Sequence, residues 1–188
     1  MNTDNMSILG ETFDFGPFGF LENYQPDYIC NHSDYQGRYA FNNQPNIGLW
    51  NCQALAAALS PIIEETALKK ALESYQIYFY NHFIQLFRKK LGLLKKEPKD
   101  FELIEEILDW LMKEKIDYTN FFRNFSDFIH GDDLFSWKEK FLNRLELEKI
   151  SQNQHEDIVK ANNPKFILRN YLAQVAIEKA EKDDFSEV

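Results

Sequence analysis

Two acidic residues and an asparagine near the start of the chain have the side-chain chemistry of a metal and proton-transfer site. Asp4 and Asn5 are adjacent, and Asp14 opens the string Asp14-Phe15-Gly16. An amide oxygen and a carboxylate are hard donors that can hold Mg²⁺ or Mn²⁺ and leave coordination positions for nucleotide phosphates and water. A second carboxylate that stays off the metal can accept a hydroxyl proton. The pattern predicts Asn5 and Asp14 as metal ligands and Asp4 as a general base.

These residues must be brought together by the elements around them. Residues 6–9 and 12–15 alternate apolar and polar side chains on either side of Gly10-Glu11, which predicts a small β-hairpin with Asn5 and Asp14 at its open end. Other interpretations stay open, because a three-residue string occurs by chance. Asp14 would then end a strand before a turn glycine, and Asp4 would cap a turn.

The remainder of the chain has the apolar spacing of helices, which predicts a mainly α fold. Most glycines lie in the first 48 residues, and the apolar spacing changes to three and four after Asn46. One helix is predicted to end near Leu59, and the next, over 62–91, to be the central buried helix with Ser60 as its N-cap. Further helix starts are predicted at Asp100, Asp117, Asp132 or Asp133, Ser151 with a capping box, and Asn163-Pro164.

Composition excludes several classes of function. The net charge of −9 disfavours binding to nucleic acid or to anionic membranes. No apolar run approaches the ~20 residues of a membrane span, and no signal sequence is recognisable. Two cysteines are too few for a disulfide framework, so we expect a cytoplasmic location.

Other polar strings have simpler interpretations. Cys30-Asn31-His32-Ser33-Asp34 is neither a triad nor a zinc site, because such residues converge from separate segments, and it is predicted to be a structured loop. Arg38 suits phosphate binding and a structural ion pair equally. His82 is predicted to be packed, and His155 to be a solvated helix residue.

The order of Asp4, Asn5 and Asp14 is similar to that of the protein kinases, in which a catalytic Asp and a metal-binding Asn precede the metal-binding Asp of the DFG string. In kinases the first two residues are separated, whereas Asp4 and Asn5 are adjacent, which argues against a protein kinase. The chain instead resembles the selenoprotein O (SelO) family of kinase-fold proteins. The matching strings are MNTDNMSILG, DFGPFGF, YICNHSDYQGRYAFNNQPNIGLWN, LAAALSP, NNPKFILRNYLAQVAIEKAE and DFSEV.

The resemblance implies a protein-kinase-like C-lobe. Residues 1–48 would contain the catalytic loop, the hairpin and a segment like the activation segment, and residues 49–188 would form one helical domain with them. The glycine-rich loop and phosphate-contacting lysine of the N-lobe are not found in this sequence. We therefore expect a truncated product or a split gene that retains the C-terminal part, with low activity by itself.

The resemblance also implies an activity. Members of this family transfer AMP from ATP to protein hydroxyls, so Ser, Thr and Tyr side chains of other proteins are the implied acceptors. By position, the proton acceptor falls on Asp4, the magnesium ligands on Asn5 and Asp14, and the nucleotide contact on Asp14. The alternative is a non-catalytic helical interaction module, a pseudokinase relic without the nucleotide-binding N-lobe.

Overall fold

The structure is a computed structural model, and it describes residues 3–9, 19, 21–30, 33–132 and 134–188. These residues form two compact units. The first comprises described residues of Met1–Phe18 together with Gln25–Phe87, and the second comprises those of Gly19–Tyr24 and Arg88–Val188. The prediction of a mainly α fold is confirmed for the described residues.

The first unit is built on two helices. Helix α1 spans Gln44–Leu59, with Pro45 in its first turn, and helix α2 spans Glu65–Lys90, with its last residues counted in the second unit. The Tyr75 hydroxyl of α2 donates to the Pro45 carbonyl at 2.9 Å. A Cβ at Gly48 would lie 2.5 Å from this hydroxyl oxygen, so the approach of Tyr75 to α1 requires glycine there.

The second unit contains six helices in its described residues: α3 (Asp100–Glu114), α4 (Tyr118–Arg123), α5 (Phe125–His130), α6 (Lys138–Glu146), α7 (Gln152–Asn162) and α8 (Asn170–Ala180). Its core is aromatic. Trp137 stacks on Phe125 with ring centroids 5.9 Å apart, and Phe141 meets Phe125 edge-on at 4.7 Å. Phe121, Phe125, Trp137 and Phe141 are fully buried, so this cluster supplies much of the apolar stabilisation of the unit.

The predicted N-terminal β-hairpin is wrong, since the described residues include no strand. Residues 6–9, its first arm, are irregular and end in a turn in which the Ser7 hydroxyl accepts from the Leu9 amide at 3.1 Å. Met6 and Ile8, the alternating apolar residues of this arm, are exposed, so the alternation has no core to face. The second arm, residues 12–15, lies outside the described residues. An isolated antiparallel bridge joins Asn23 to Asp117.

Several predicted helix features also differ from the structure. Ser60 does not start α2 but follows α1, where its hydroxyl donates to the Ala57 carbonyl at 2.9 Å. The middle of α2 is not buried, since Ile77 and Tyr78 are 64% and 74% exposed. The predicted helix start at Asn163-Pro164 is wrong because α8 begins at Asn170.

Other predicted starts are confirmed. Asp117 caps α4 by accepting from the Asn120 amide, and Ser151 and Gln154 form the predicted capping box of α7.

The predicted helix start at Asp132 differs from the structure, since α6 begins after Trp137, and the alternative start, Asp133, lies outside the described residues. Among the described helices, none combines the length and apolar character that crossing a bilayer requires.

Candidate functional site

Asp4 and Asn5 lie together on a single turn of 3-10 helix, Thr3–Asn5, in the first unit. This turn lies beside α1, and both residues are exposed. A 3-10 helix has three residues per turn, so successive side chains leave its axis about 120° apart. The two residues are therefore accessible from solvent on different sides of one turn, which suits separate chemical roles.

The third predicted site residue, Asp14, lies outside the described residues, so its pairing with Asn5 stays a prediction. In the described part of the chain, no group of three or more His, Cys, Asp or Glu side chains is placed to hold a metal ion.

A hydrogen-bonded loop leads from Ser33 to the start of α1. The Asp34 carboxylate accepts from the Tyr39 amide at 2.7 Å and from the Arg38 amide at 3.1 Å. These bonds, the one from Tyr39 foremost, hold the pKa of Asp34 below its usual value. Asp34 thus organises residues 34–39. Of the string predicted to be a structured loop, Asn31 and His32 lie outside the described residues, so that prediction stands untested for them.

The loop is also bound to the first residues of α1 and the turn before it. The Asn43 side chain donates to the Arg38 carbonyl at 3.1 Å, and the Gln44 side chain donates to the Tyr39 carbonyl at 2.9 Å. Gly37 adopts φ +69°, a left-handed conformation that glycine accommodates without strain. The loop backbone is therefore fixed against the same helix that the Asp4–Asn5 turn contacts.

Arg38, a candidate phosphate contact, packs against aromatic rings. Its guanidinium carbon lies 4.5 Å from the Trp50 ring centroid and 5.9 Å from that of Tyr39. This geometry is a cation–π stack, which leaves the edge of the guanidinium plane able to donate hydrogen bonds. Sequence analysis does not identify Trp50 as a neighbour of Arg38. The two residues are 12 positions apart, and the sequence does not show that the loop folds back and brings them together.

Comparison with known proteins identifies the family. The sequence model described as "Protein adenylyltransferase SelO" matches residues 1–188, the whole chain. The chain belongs to the SelO family. The family resemblance noted in the sequence is thereby confirmed.

Curated relatives agree with this assignment. The chain is 53% identical over 200 residues to a protein nucleotidyltransferase YdiU of Aliivibrio fischeri strain MJ11, and 49% identical to that of Vibrio atlanticus. A third YdiU, from Vibrio parahaemolyticus, is 50% identical over 206 residues. Each match covers the whole of this SelO chain but only 41% or 42% of the relative. The chain therefore spans about two fifths of the length of these relatives. The names of the family model and of the relatives identify the family as one of nucleotidyltransferases.

Proposed function

We propose that this SelO chain supplies the general base and the metal ligands of an ATP-dependent protein adenylyltransferase. The observation that supports this most is the family match over all 188 residues, which includes the segment with Asp4, Asn5 and Asp14. The exposed position of Asp4 and Asn5 on one turn is compatible with the proposal, since both can reach a nucleotide and an incoming hydroxyl.

The reaction proposed is transfer of AMP to a Ser, Thr or Tyr hydroxyl of a protein. The hydroxyl oxygen attacks the α-phosphorus of ATP, the bond from that phosphorus to the bridging oxygen breaks, and pyrophosphate leaves. Asp4 accepts the hydroxyl proton as the new bond forms. Because Asp4 is exposed, a protein side chain can approach it without rearrangement of a core.

Asn5 and Asp14 are the residues that would hold the metal. The amide oxygen of Asn5 and the carboxylate of Asp14 are hard donors of the type that Mg²⁺ or Mn²⁺ prefers. A bound divalent cation would supply neutralisation of the phosphate charge. Asn5 and Asp14 would hold this cation, and Asp4 would remain available for the proton.

Calorimetry with Mg-ATP on this chain and on Asp14→Ala tests the nucleotide site. We expect heat of binding that is lost in the variant, because the phosphates lose their metal-mediated contact. Asp157→Ala, an exposed carboxylate on α7, is the matched control and should bind as the parent does. No binding by either protein would instead favour the non-catalytic helical module.

Transfer of labelled AMP tests the reaction itself. The assay uses this chain alone and a chimera in which it replaces the matched segment of the Aliivibrio fischeri relative. We expect the chimera to label protein hydroxyls and Asp14→Ala to abolish labelling. Undiminished transfer by the Asp14→Ala chimera would contradict the assignment of Asp14.

A further inference from the structure

Arg38 has a positively charged side chain that is held in place without an anionic partner in the described part of the chain. Its guanidinium carbon lies 4.5 Å from the Trp50 ring centroid, and the residue is half-buried. Among the described residues, this guanidinium forms no hydrogen bond and no ion pair. Asp and Glu outnumber Lys and Arg by 30 to 21 in the sequence, so a shortage of carboxylates does not explain this. The N–H donors of Arg38 are therefore available to a ligand that carries an oxyanion.

The position of Arg38 is fixed by the residues around it. The backbone amides of Arg38 and Tyr39 donate to the Asp34 carboxylate, and the Asn43 side chain donates to the Arg38 carbonyl. Stacking on Trp50 of α1 restrains the side chain as well. A guanidinium that is already oriented loses less conformational freedom when it binds a carboxylate or a phosphate.

Exposed aromatic side chains in the same unit indicate that the ligand is a protein. Tyr35, in the same loop, is 94% exposed, and Phe41 and Trp50 are 43% and 44% exposed. Arg, Tyr and Trp are the residue types that contribute most to contacts between proteins. The phosphates of ATP, by contrast, already have a proposed contact in the metal held by Asn5 and Asp14. These observations favour a carboxylate of the acceptor protein over a phosphate of the nucleotide.

We propose that Arg38 binds an Asp or Glu side chain of the acceptor protein and so selects acceptors that are acidic near the modified hydroxyl. This inference rests on the proposed adenylyltransferase function. The Thr3–Asn5 turn, which contains the proposed base Asp4, lies beside α1, and Arg38 stacks on Trp50 of the same helix. Helix α1 has 16 residues and is about 24 Å long, a distance that about seven extended residues span. The acidic side chain is therefore expected within about seven positions of the hydroxyl.

Peptide binding to this chain alone tests the contact without catalysis. The probes are two fluorescent peptides of about 15 residues with a central serine, one with aspartates on both sides and one with asparagines in their place. We expect the aspartate peptide to bind at least about tenfold more tightly, and Arg38→Met to remove this difference. Lys70→Met, at an exposed lysine of α2, loses the same charge and should keep the difference. Equal binding of the two peptides by the parent chain would overturn the proposal.

Transfer of labelled AMP by the chimera tests the same contact during the reaction. Arg38→Met should raise the KM for the aspartate peptide at least about tenfold, and leave kcat and the KM for ATP nearly unchanged. Its transfer to the asparagine peptide should equal that of the parent chimera, which would show that the variant is folded. Arg38→Lys retains the charge but not the planar fork, so its KM should rise less. A higher KM for ATP with both peptides would assign Arg38 to a nucleotide phosphate and overturn the proposal.

The two experiments separate this inference from the proposed function. If the aspartate peptide bound through Arg38 but the parent chimera transferred no AMP, the proposed function would be wrong and the contact with a carboxylate would stand. If the parent chimera labelled both peptides equally well, the selection by Arg38 would be wrong and the proposed function would stand.

Discussion

Asp4 and Asn5 share one exposed turn, and their different side chains lead to different kinetic expectations. Asp4→Asn retains size and polarity but cannot accept a proton, so AMP transfer in the chimera should fall about 10²- to 10⁴-fold. The KM for ATP should change little, because the proposed base does not hold the nucleotide. Steady-state rates at varied ATP measure both quantities.

Asn5→Ala should show the complementary result, with weaker binding of metal and ATP, because the amide oxygen is a proposed metal ligand. Asn153→Ala on the exposed surface of α7 is the control for Asn5, and Asp157→Asn is the control for Asp4. If both site variants lowered kcat and raised the KM for ATP alike, the separate roles assigned to them would be wrong.

His155 is a residue at which the sequence prediction fails. The sequence predicts a solvated side chain, but His155 is 1% exposed, with Nε2 2.9 Å from the Leu91 carbonyl and Nδ1 without a hydrogen-bond partner in the described structure. His82, predicted to be packed, is exposed instead. Polar neighbours surround His155 in the sequence, and only the docking of α7 determines that this side of the helix faces inward.

Burial of His155 predicts a dependence of stability on pH. Desolvation lowers the pKa of His155 below the ordinary value of 6.5, and this effect is larger than the rise caused by the hydrogen bond to the Leu91 carbonyl. The charge of His130 lowers the pKa further, and the charge of Glu148 raises it. Between the lowered folded pKa and the unfolded pKa, the unfolded chain binds more protons. The contribution is therefore fully present above pH 6.5 and is lost as the pH falls from there towards and through the folded pKa.

Urea unfolding at about pH 7.5 and about pH 5.5, on either side of the ordinary histidine pKa, measures this effect. The free energy of unfolding should be smaller at the lower pH, and His155→Gln should reduce the difference between the two values. His82→Gln, at an exposed site, should leave the difference as it is. A pH dependence that is the same in His155→Gln and in the parent would show that another group is responsible.

Helix boundaries are predictable where the signal is local. The capping box of α7 and the Asp117 cap of α4 can be found from sequence because each needs only a side chain and an amide three residues later. Asn163 misleads the prediction because its side chain serves contacts distant in sequence. It donates to the Lys90 carbonyl and accepts from the Lys90 ammonium, 73 residues earlier, and it also donates to the nearby Val159 carbonyl, which places it at the end of α7 rather than at the start of α8.

The capping box of α7 provides a prediction for a single element. Ser151→Ala removes the acceptor of the Gln154 amide and should lower the free energy of unfolding by about 1 kcal/mol. Gln154→Ala removes the reciprocal bond to the Ser151 amide. Chemical denaturation of both single variants and the double variant should give a loss smaller than their sum, since the two bonds support each other. Gln152→Ala, exposed in the same helix, is the control.

Across the whole molecule, the mainly α fold is predictable from apolar periodicity, but burial is not. The middle of α2 contains aromatic and aliphatic residues on several sides and is predicted to be the buried centre, yet its buried residues are Ile84 and Phe87. Periodicity identifies a helix and its apolar residues without showing which surface covers them.

The buried charges of the second unit determine how that unit should respond to mutation. Arg144 pairs with Asp100 at 2.6 Å and with Glu148 at 2.9 Å, and all three side chains are almost fully buried. Arg144→Met would remove the hydrogen-bonded cation of both buried carboxylates and leave Asp100 with only one cation among the described residues, the Arg88 guanidinium at 3.8 Å, which should lower the free energy of unfolding by about 3–5 kcal/mol. Lys140→Met, which breaks an exposed pair with Glu106, is the control and should cost far less.

Hydrogen exchange measures which helices lose stability in the Arg144→Met variant. The chain has two compact units, and this cluster belongs to the second, so amides of α3 and α6 should lose protection first. Amides of α1, in the first unit, should keep theirs at the same denaturant concentration. If α1 and α3 lost protection equally, the prediction would be wrong. The two units would then unfold together in one cooperative transition.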